Sequence, residues 1–278
     1  MSNAVAYLSQ LNRSEQMLSC YLCGSDGRVK RVYNSSDKYE KLIGINKDVR
    51  VWYICQSCGL TWQTNCLTES NLRDIYSHYR DTSFRNESVK EIFLRIDNLD
   101  PRESENEYRF RWFSKHVGIE KGCLLDIGSG FGIWPNALVR HGWEVVCVEP
   151  NEESCKFINE YLNIPCSATY GLEDVGNGYD VISLVHVLEH INHPIRMLKQ
   201  INERLLENGR LFIEIPDAME FDLLDCEHDE FNSTHLFFYD TASIYNLLSR
   251  VFDVTDIHRI HHKSRGLYRI LVLCQKRN

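Results

Sequence analysis

The stretch Leu124-Leu125-Asp126-Ile127-Gly128-Ser129-Gly130-Phe131-Gly132 limits the possible folds more than any other part of the chain. An apolar run ends in an acid, and glycines follow at alternate positions. This reads as a strand that stops abruptly and turns into a helix, with glycine where a ligand must approach a tightly turning backbone. A second apolar run, Val145 to Val148, ends in Glu149, 23 residues beyond Asp126. That spacing suits a ribose held at the tip of the next strand. The turn is not the G-x-G-x-x-G of a pyrophosphate site, and no G-K-[ST] follows it. Asp126 would repel a phosphate and welcome a cation, so the expected ligand is a nucleoside carrying positive charge.

From residue 119 the pattern alternates. Strands are expected at 123–127, 144–148, 164–167, 179–184 and 210–215. Helices are expected at 132–141, at 152–162 behind an Asn151 cap, at 193–206 ending before Asn208-Gly209, and at 241–250 behind Asp240. The runs 252–260 and 267–275 read as a closing hairpin. The order predicts an α/β, doubly wound, mostly parallel sheet with an antiparallel C-terminal edge. Upstream, Leu72, Ile75, Tyr76 and Tyr79 mark one helix, Val89 to Ile96 a second, and 102–117 a third opened by Pro101. The aromatics of the third (Tyr108, Phe110, Trp112, Phe113) suit packing on the sheet or closure over a ligand.

Nearer the N-terminus stand Cys20-Tyr21-Leu22-Cys23-Gly24 and Cys55-Gln56-Ser57-Cys58-Gly59, with 31 residues between the two knuckles. Thiolates spaced i, i+3 face one ion, and the glycines let backbone N–H groups turn toward sulfur. Cys20, Cys23, Cys55 and Cys58 therefore read as a closed, structural Zn²⁺ site. Cys66 reads as a plain buried thiol. The division expected is a zinc-binding region at 1–67, a helical linker or cap at 68–118, and a nucleoside-binding domain at 119–278.

Eleven cysteines, an odd number and mostly scattered, fit reduced thiols plus a metal better than a disulfide framework. With no basic-then-apolar leader in Met1-Ser2-Asn3-Ala4, a cytoplasmic setting is expected. No apolar run approaches a bilayer span. The net charge of −8 is uneven: residues 1–118 carry 17 basic and 15 acidic side chains, residues 119–278 carry 14 and 24. An acidic second half argues against phosphate-driven nucleic-acid binding and leaves a small molecule as the partner.

Residues 119–278 resemble a class I S-adenosylmethionine-dependent methyltransferase. The resemblance rests on Leu-Asp-Ile-Gly-Ser-Gly-Phe-Gly at 125–132, Val-Glu-Pro-Asn at 148–151, Tyr179 to Ile191, His193-Pro194, and Gly-Arg-Leu-Phe-Ile-Glu-Ile-Pro-Asp at 209–217, all in order. The N-terminal half, with Cys-Gly-Leu at 58–60 followed by Leu72, Tyr76 and Tyr79, is similar to the zinc-binding region that precedes this domain in some bacterial enzymes, many of which act on sugars and polysaccharides. The resemblance implies a Rossmann-like sheet of seven strands and S-adenosylmethionine as cofactor. It places Gly128, Ser129, Gly130 and Gly132 beside the methionine part, with Asp126 acting on the amino group directly or through water. Glu149 would take both ribose hydroxyls, Pro150 would flank the adenine, and Glu173 (or Asp174) would reach its amine. Val185 and His186 would lie beside the methyl group.

The last cluster is His186-Val187-Leu188-Glu189-His190, joined by His235 from a later loop. Spacing i, i+3, i+4 would set His186, Glu189 and His190 on one face of a helical turn. His190, His186 or His235 is a candidate catalytic base. Related quinone and RNA methyltransferases hold a divalent metal with Glu-x-x-Glu-His, and His186 here replaces the first Glu. A second metal at Glu189, His190 and His235 therefore stands as an alternative, and a structural role as another. The acceptor expected is a sugar or nucleotide sugar, with an RNA or quinone precursor, or a non-catalytic binding module, as alternatives. Trp134 reads as packing, and His258, His261, His262, Lys263 and Arg265 as a solvated basic turn or a phosphate patch.

Overall fold

The computed structural model describes residues 19–46, 49–64, 67–79, 85–173, 175–262 and 265–277. The expectations for residues 1–18, Cys66, Asp174 and Lys263 lie outside the described residues.

Seven strands form the larger sheet: β4 (Cys123–Ile127), β5 (Glu144–Val148), β6 (Cys166–Ser167), β7 (Tyr179–Val185), β8 (Leu205–Pro216), β10 (Phe252–His262) and β11 (Leu267–Lys276). Their order is β10-β11-β8-β7-β4-β5-β6. The pairs β4–β5, β4–β7, β5–β6 and β7–β8 are parallel, whereas β8–β11 and β10–β11 are antiparallel. The expected sheet, including its antiparallel edge, is the sheet found. Its order reverses beside β4, because the chain runs outward through β5 and β6 and then returns to the other side as β7. A crevice opens at such a switch point, over the C-terminal strand ends.

Alternation along β4 divides the core. Leu124 joins a cluster with Trp112, Phe113, Trp134 and Phe212, while Leu125 and Ile127 join the cluster on the opposite face. Both faces are covered, which is why the parallel strands read as nearly continuous apolar runs. The helix Glu105–His116 packs Trp112 and Phe113 into the first cluster, Phe113 with its ring centroid 5.2 Å from that of Phe212. Each such aromatic removes about 150–250 Å² from water.

The smaller sheet has the order β1-β2-β3-β9, built from β1 (Gly27–Tyr33), β2 (Arg50–Cys55), β3 (Thr61–Thr64) and β9 (Phe237–Phe238). The first three strands precede the larger sheet in the chain, and β9 comes from the loop after β8. Trp52 is fully buried here, edge-on to Phe221 and Phe238 at 5.5 and 5.3 Å.

Most boundaries move by a residue or two, as where β6 keeps only Cys166–Ser167 of the expected 164–167, and two differences have a clear local cause. Pro101 does not open the third helix: it sits in a preceding turn, and Ser104 caps the helix at Glu105 by accepting from the Glu107 N–H. β8 begins at Leu205 and not at 210, because Tyr179 pairs with Leu205 before an irregularity shifts the register to Val181–Arg210. Asn208-Gly209 therefore lies inside a strand and is not a helix end. No helix among the described residues is long and apolar enough to cross a membrane.

Candidate active site

β4 stops at Ile127, and the chain crosses the sheet edge through Gly128 at φ 73°. A Cβ at Gly128 would stand 2.5 Å from Val187 Cγ2, and one at Gly132 would stand 2.5 Å from Leu162 Cδ1, so glycine is needed at both for torsion and a side chain would also crowd its neighbour. The turn then feeds the helix Ile133–Arg140. Over it lies a cavity of about 1090 Å³, walled by Asp126, Gly128, Ser129, Gly130, Glu149 and Pro150 on one side and by Val185, His186, His190 and His235 on the other.

Glu149 is buried at the tip of β5. Its Oε2 accepts from the Gly130 N–H at 2.7 Å and its Oε1 from the Asn151 N–H at 3.0 Å. Asp126 is also buried, and its Oδ1 accepts from the Ser183 hydroxyl at 2.6 Å. Burial pushes the Asp126 carboxyl up to about 7, against the hydrogen bond from Ser183. Trp134 packs as expected, but its Nε1 also donates to Ser183 Oγ at 3.2 Å and so helps fix that hydroxyl. Ser129 turns its hydroxyl back to the Asp126 carbonyl at 3.1 Å. Glu173 does not reach the cavity. It is exposed, and Thr169 and Tyr170 occupy that side of the wall.

The histidine cluster is not one face of a helix. His186 leaves β7 at φ 56°, a left-handed torsion unusual for a residue with a Cβ, and Leu188–His190 make a single 3-10 turn. The two histidines consequently part company. His186 Nε2 lies 3.2 Å from Glu214 Oε1 and its Nδ1 lies 3.5 Å from Glu189 Oε1. Burial alone would lower its pKa, but the hydrogen-bonding carboxylates Glu189 and Glu214 outweigh burial and hold it up at about 9. His186 is thus a cation at neutral pH. His190 Nδ1 lies 2.8 Å from the Thr234 carbonyl. A carbonyl only accepts, so Nδ1 carries the proton and the lone pair is on Nε2. Burial, together with neighbouring His235, pushes His190 down to about 4. Its ring centroid is 4.6 Å from that of His235.

Glu214 and Arg109 are functional candidates that sequence reasoning missed. Arg109, on the helix Glu105–His116, donates from Nε and Nη2 to the two Glu214 oxygens at 2.6 Å each, and from Nη1 to Asn106 Oδ1 at 3.1 Å. Burial opposes ionisation of Glu214, but Arg109 and His186 hold its carboxyl well below the usual range. An acid between Ile213 and Ile215 in an apolar strand was an available signal. Arg109 had none, since its helix is charged on several sides. The helix therefore both packs on the sheet and enters the cavity wall.

Also lining the cavity, Glu105 Oε1 and Arg269 Nε are buried with no hydrogen-bond partner among the described residues, and Glu230 Oε2 and His235 Nδ1, also without a hydrogen bond, face each other at 3.7 Å. Glu189 Oε2 is in the same state, Glu189 Oε1 has only its 3.5 Å contact with His186, and Glu189, His190 and His235 place one ligand atom each within 4.8 Å of one another. The hairpin turn is not simply solvated. His258 Nε2 lies 3.3 Å from the Tyr108 hydroxyl, and His262 is buried edge-on to the Tyr108 ring, whereas His261 and Arg265 are exposed.

The four knuckle sulfurs also converge. Cys20–Cys58 and Cys23–Cys55 Sγ distances are both 3.4 Å, and all four lie within 4.8 Å of one another. A tetrahedron with Zn–S bonds of about 2.3 Å has sulfurs about 3.8 Å apart, so this donor set fits the ion. Gly24 and Gly59 take φ 73° and 78° after the second cysteine of each knuckle.

A family model described as "Methyltransferase domain" matches residues 85–251. A ubiquinone biosynthesis O-methyltransferase of Coxiella burnetii is 25% identical over 121 residues, 41% of this chain and 52% of that one, so the chain spans about half the length of the curated relatives it matches. Among solved structures, the 1,6-didemethyltoxoflavin-N1-methyltransferase of Burkholderia thailandensis, with bound 1,6-didemethyltoxoflavin and S-adenosylhomocysteine, aligns with a TM-score of 0.58 at 15% identity, covering 82% of this chain and 96% of that one. The N-methyltransferase NodS of Bradyrhizobium japonicum, with S-adenosylhomocysteine, aligns with a TM-score of 0.51 at 11% identity over 69% of this chain and all of that one. At such identities the structural likeness is one of fold.

Proposed function

The chain belongs to the class I S-adenosylmethionine-dependent methyltransferases, and from that premise we propose that it methylates a hydroxyl or amine of a small, polyhydroxylated acceptor of the sugar or nucleotide-sugar kind. The cofactor supplies an already activated methyl group for in-line displacement. Glu149 would hold the ribose diol, the backbone at 128–130 would pass the methionine part, Asp126 would face its ammonium, and Pro150 would flank the adenine. Zn²⁺ at Cys20, Cys23, Cys55 and Cys58 would be structural, and the free thiols among the described cysteines support a reducing, cytoplasmic setting.

His190 is the base in this reading. The acceptor proton needs a neutral imidazole, which His190 is at neutral pH and His186 is not. His186 instead sits as a fixed cation between Glu189 and Glu214. The observation that carries the acceptor class is the polar character of this wall: Glu105 Oε1 and Arg269 Nε are buried without a hydrogen bond, and Glu230 Oε2 and His235 Nδ1 share only a long 3.7 Å contact. Covering them with an apolar tail would leave each unsatisfied at about 1–3 kcal/mol, whereas hydroxyls would match them.

The test is transfer of tritiated methyl to nucleotide sugars, quinone precursors and RNA, then a pH profile on the best acceptor. With His190 as base, turnover is flat through neutral pH and falls only as pH drops through about 4. A limb rising through about 9 would assign the base to His186 and overturn this part of the reading. Exclusive labelling of RNA or quinones would overturn the acceptor class. The convergence of Glu189, His190 and His235, with Glu189 Oε2 unpartnered, favours a second reading, in which the three hold a divalent cation for a quinone-type acceptor. Loss of turnover in chelator, restored by Mg²⁺ or Mn²⁺, would select it.

A further inference from the structure

We propose that the N-terminal cysteine-bearing sheet is a working wall of the active site, and that Gln63 is its positioning residue for His190 and His235. β3 leaves the second knuckle directly, with the Cys55 N–H donating to the Leu60 carbonyl at 2.9 Å as the hairpin closes. It then pairs with β9, Thr61 opposite Phe238 and Trp62 opposite Phe237. The next residue, Gln63, is buried. Its backbone N–H donates to the Leu236 carbonyl at 3.2 Å. Its side-chain Nε2 donates to the carbonyls of Asn232 at 3.3 Å, Ser233 at 2.9 Å and His235.

The carbonyl between those of Ser233 and His235 belongs to Thr234, and it is the one that takes the His190 Nδ1 proton. Gln63 thus grips the loop on both sides of the group that sets the His190 tautomer. Other bonds run the same way. Asp37 accepts from the Ser233 N–H and hydroxyl, Arg50 Nη1 donates to the Phe231 carbonyl at 3.0 Å, and the Tyr33 hydroxyl donates to the Cys226 carbonyl at 2.8 Å. Besides the His190 bond, the loop meets the larger sheet's side through the Leu236 N–H, which donates to the Glu189 carbonyl at 2.8 Å, and through Glu230 Oε1, which accepts from Arg269 Nη2 at 2.9 Å. The order of dependence runs from the cysteine knuckle to β3, to Gln63, to residues 233–235, and to the imidazoles. A sheet serving only to dock a partner would have no need of an amide donor aimed at three carbonyls beside the candidate base.

This inference rests on His190 and His235 facing the acceptor, and its test needs no acceptor. The full-length Gln63→Glu and Gln63→Met variants are compared with the native protein. The first sets a carboxylate against three carbonyl oxygens, and the second keeps the length with no donor. Ring ¹⁵N resonances of labelled histidine report the tautomer, with His190 assigned through a His190→Gln variant. The native protein is expected to show His190 protonated at Nδ1, and both variants a mixture of tautomers. Amide exchange of peptides over 229–239 should quicken by about tenfold or more, the ordinary worth of a hydrogen bond to a local opening. Peptides over 123–150 should be unchanged, and affinity for S-adenosylhomocysteine should stay within about twofold, since distant sites add independently. A native tautomer with native exchange in Gln63→Met would overturn the proposal. So would loss of S-adenosylhomocysteine binding in both variants, which would make Gln63 a residue of the general fold. Failure of the acceptor screen leaves each of these readouts in place.

Discussion

Replacing Glu149 by alanine is expected to weaken S-adenosylhomocysteine binding by about a hundredfold. The carboxylate is fixed before any ligand arrives, held at the end of β5 by the N–H groups of Gly130 and Asn151. A ribose presents a rigid diol, and each hydrogen bond to a charged acceptor is worth about 1.5–3 kcal/mol. Two at the low end give about 3 kcal/mol, or about a hundredfold in affinity. Glu149→Gln keeps the shape and loses the charge, and should fall between native and alanine. Titration calorimetry on protein with native circular dichroism is the measurement. An affinity for Glu149→Ala within about twofold of native would remove Glu149 from the cofactor site, because such sites owe their selectivity to matched polar groups.

The second large effect is expected from Cys55→Ser. The sulfur geometry fits one tetrahedral ion, and a structural zinc contributes folding free energy outright, about 10–16 kcal/mol in isolated finger peptides. A hydroxyl is a poor fourth ligand. Metal content by mass spectrometry should fall from about one ion per chain to a small fraction, and the melting temperature by about 10 °C or more, given roughly 2–4 °C per kcal/mol for a domain of this size. Cys123→Ser, at a half-buried thiol outside the cluster, should leave both quantities nearly unchanged. Equal metal content in the Cys55→Ser and native proteins would sink the assignment.

Local pattern made much of this molecule legible. The strand carrying Asp126 and the strand ending before Glu149 lie where their apolar runs place them, and Asn151 and Asp240 cap the helices they precede. Those features depend on neighbours within a few positions. Glu173 was misplaced for the opposite reason, since a turn's outward or inward direction is decided by what packs behind it. The ends of β8 and of the third helix depended on register and on a competing cap. Arg109 meets Glu214 across 105 residues, and Gln63 meets His235 across 172, so no window of sequence displays either pair. The divergence of His186 from His190 is also tertiary. Adjacent carboxylates charge one ring, and burial beside another imidazole keeps the other neutral.

The pairing of β9 with β3 also bears on the order of synthesis. Thr61 and Phe238 are partners, so the small sheet cannot be completed until residue 238 has been made. During translation its first three strands emerge early, with the edge of β3 unpaired and the Trp52 face lacking Phe221, Phe231 and Phe238. Such an edge is a template for mispairing, and so long a loop closure slows folding. A nascent chain paused before residue 221 should therefore be a preferred client for chaperones, and shortened forms that stop there should aggregate, although their cysteine knuckles are intact.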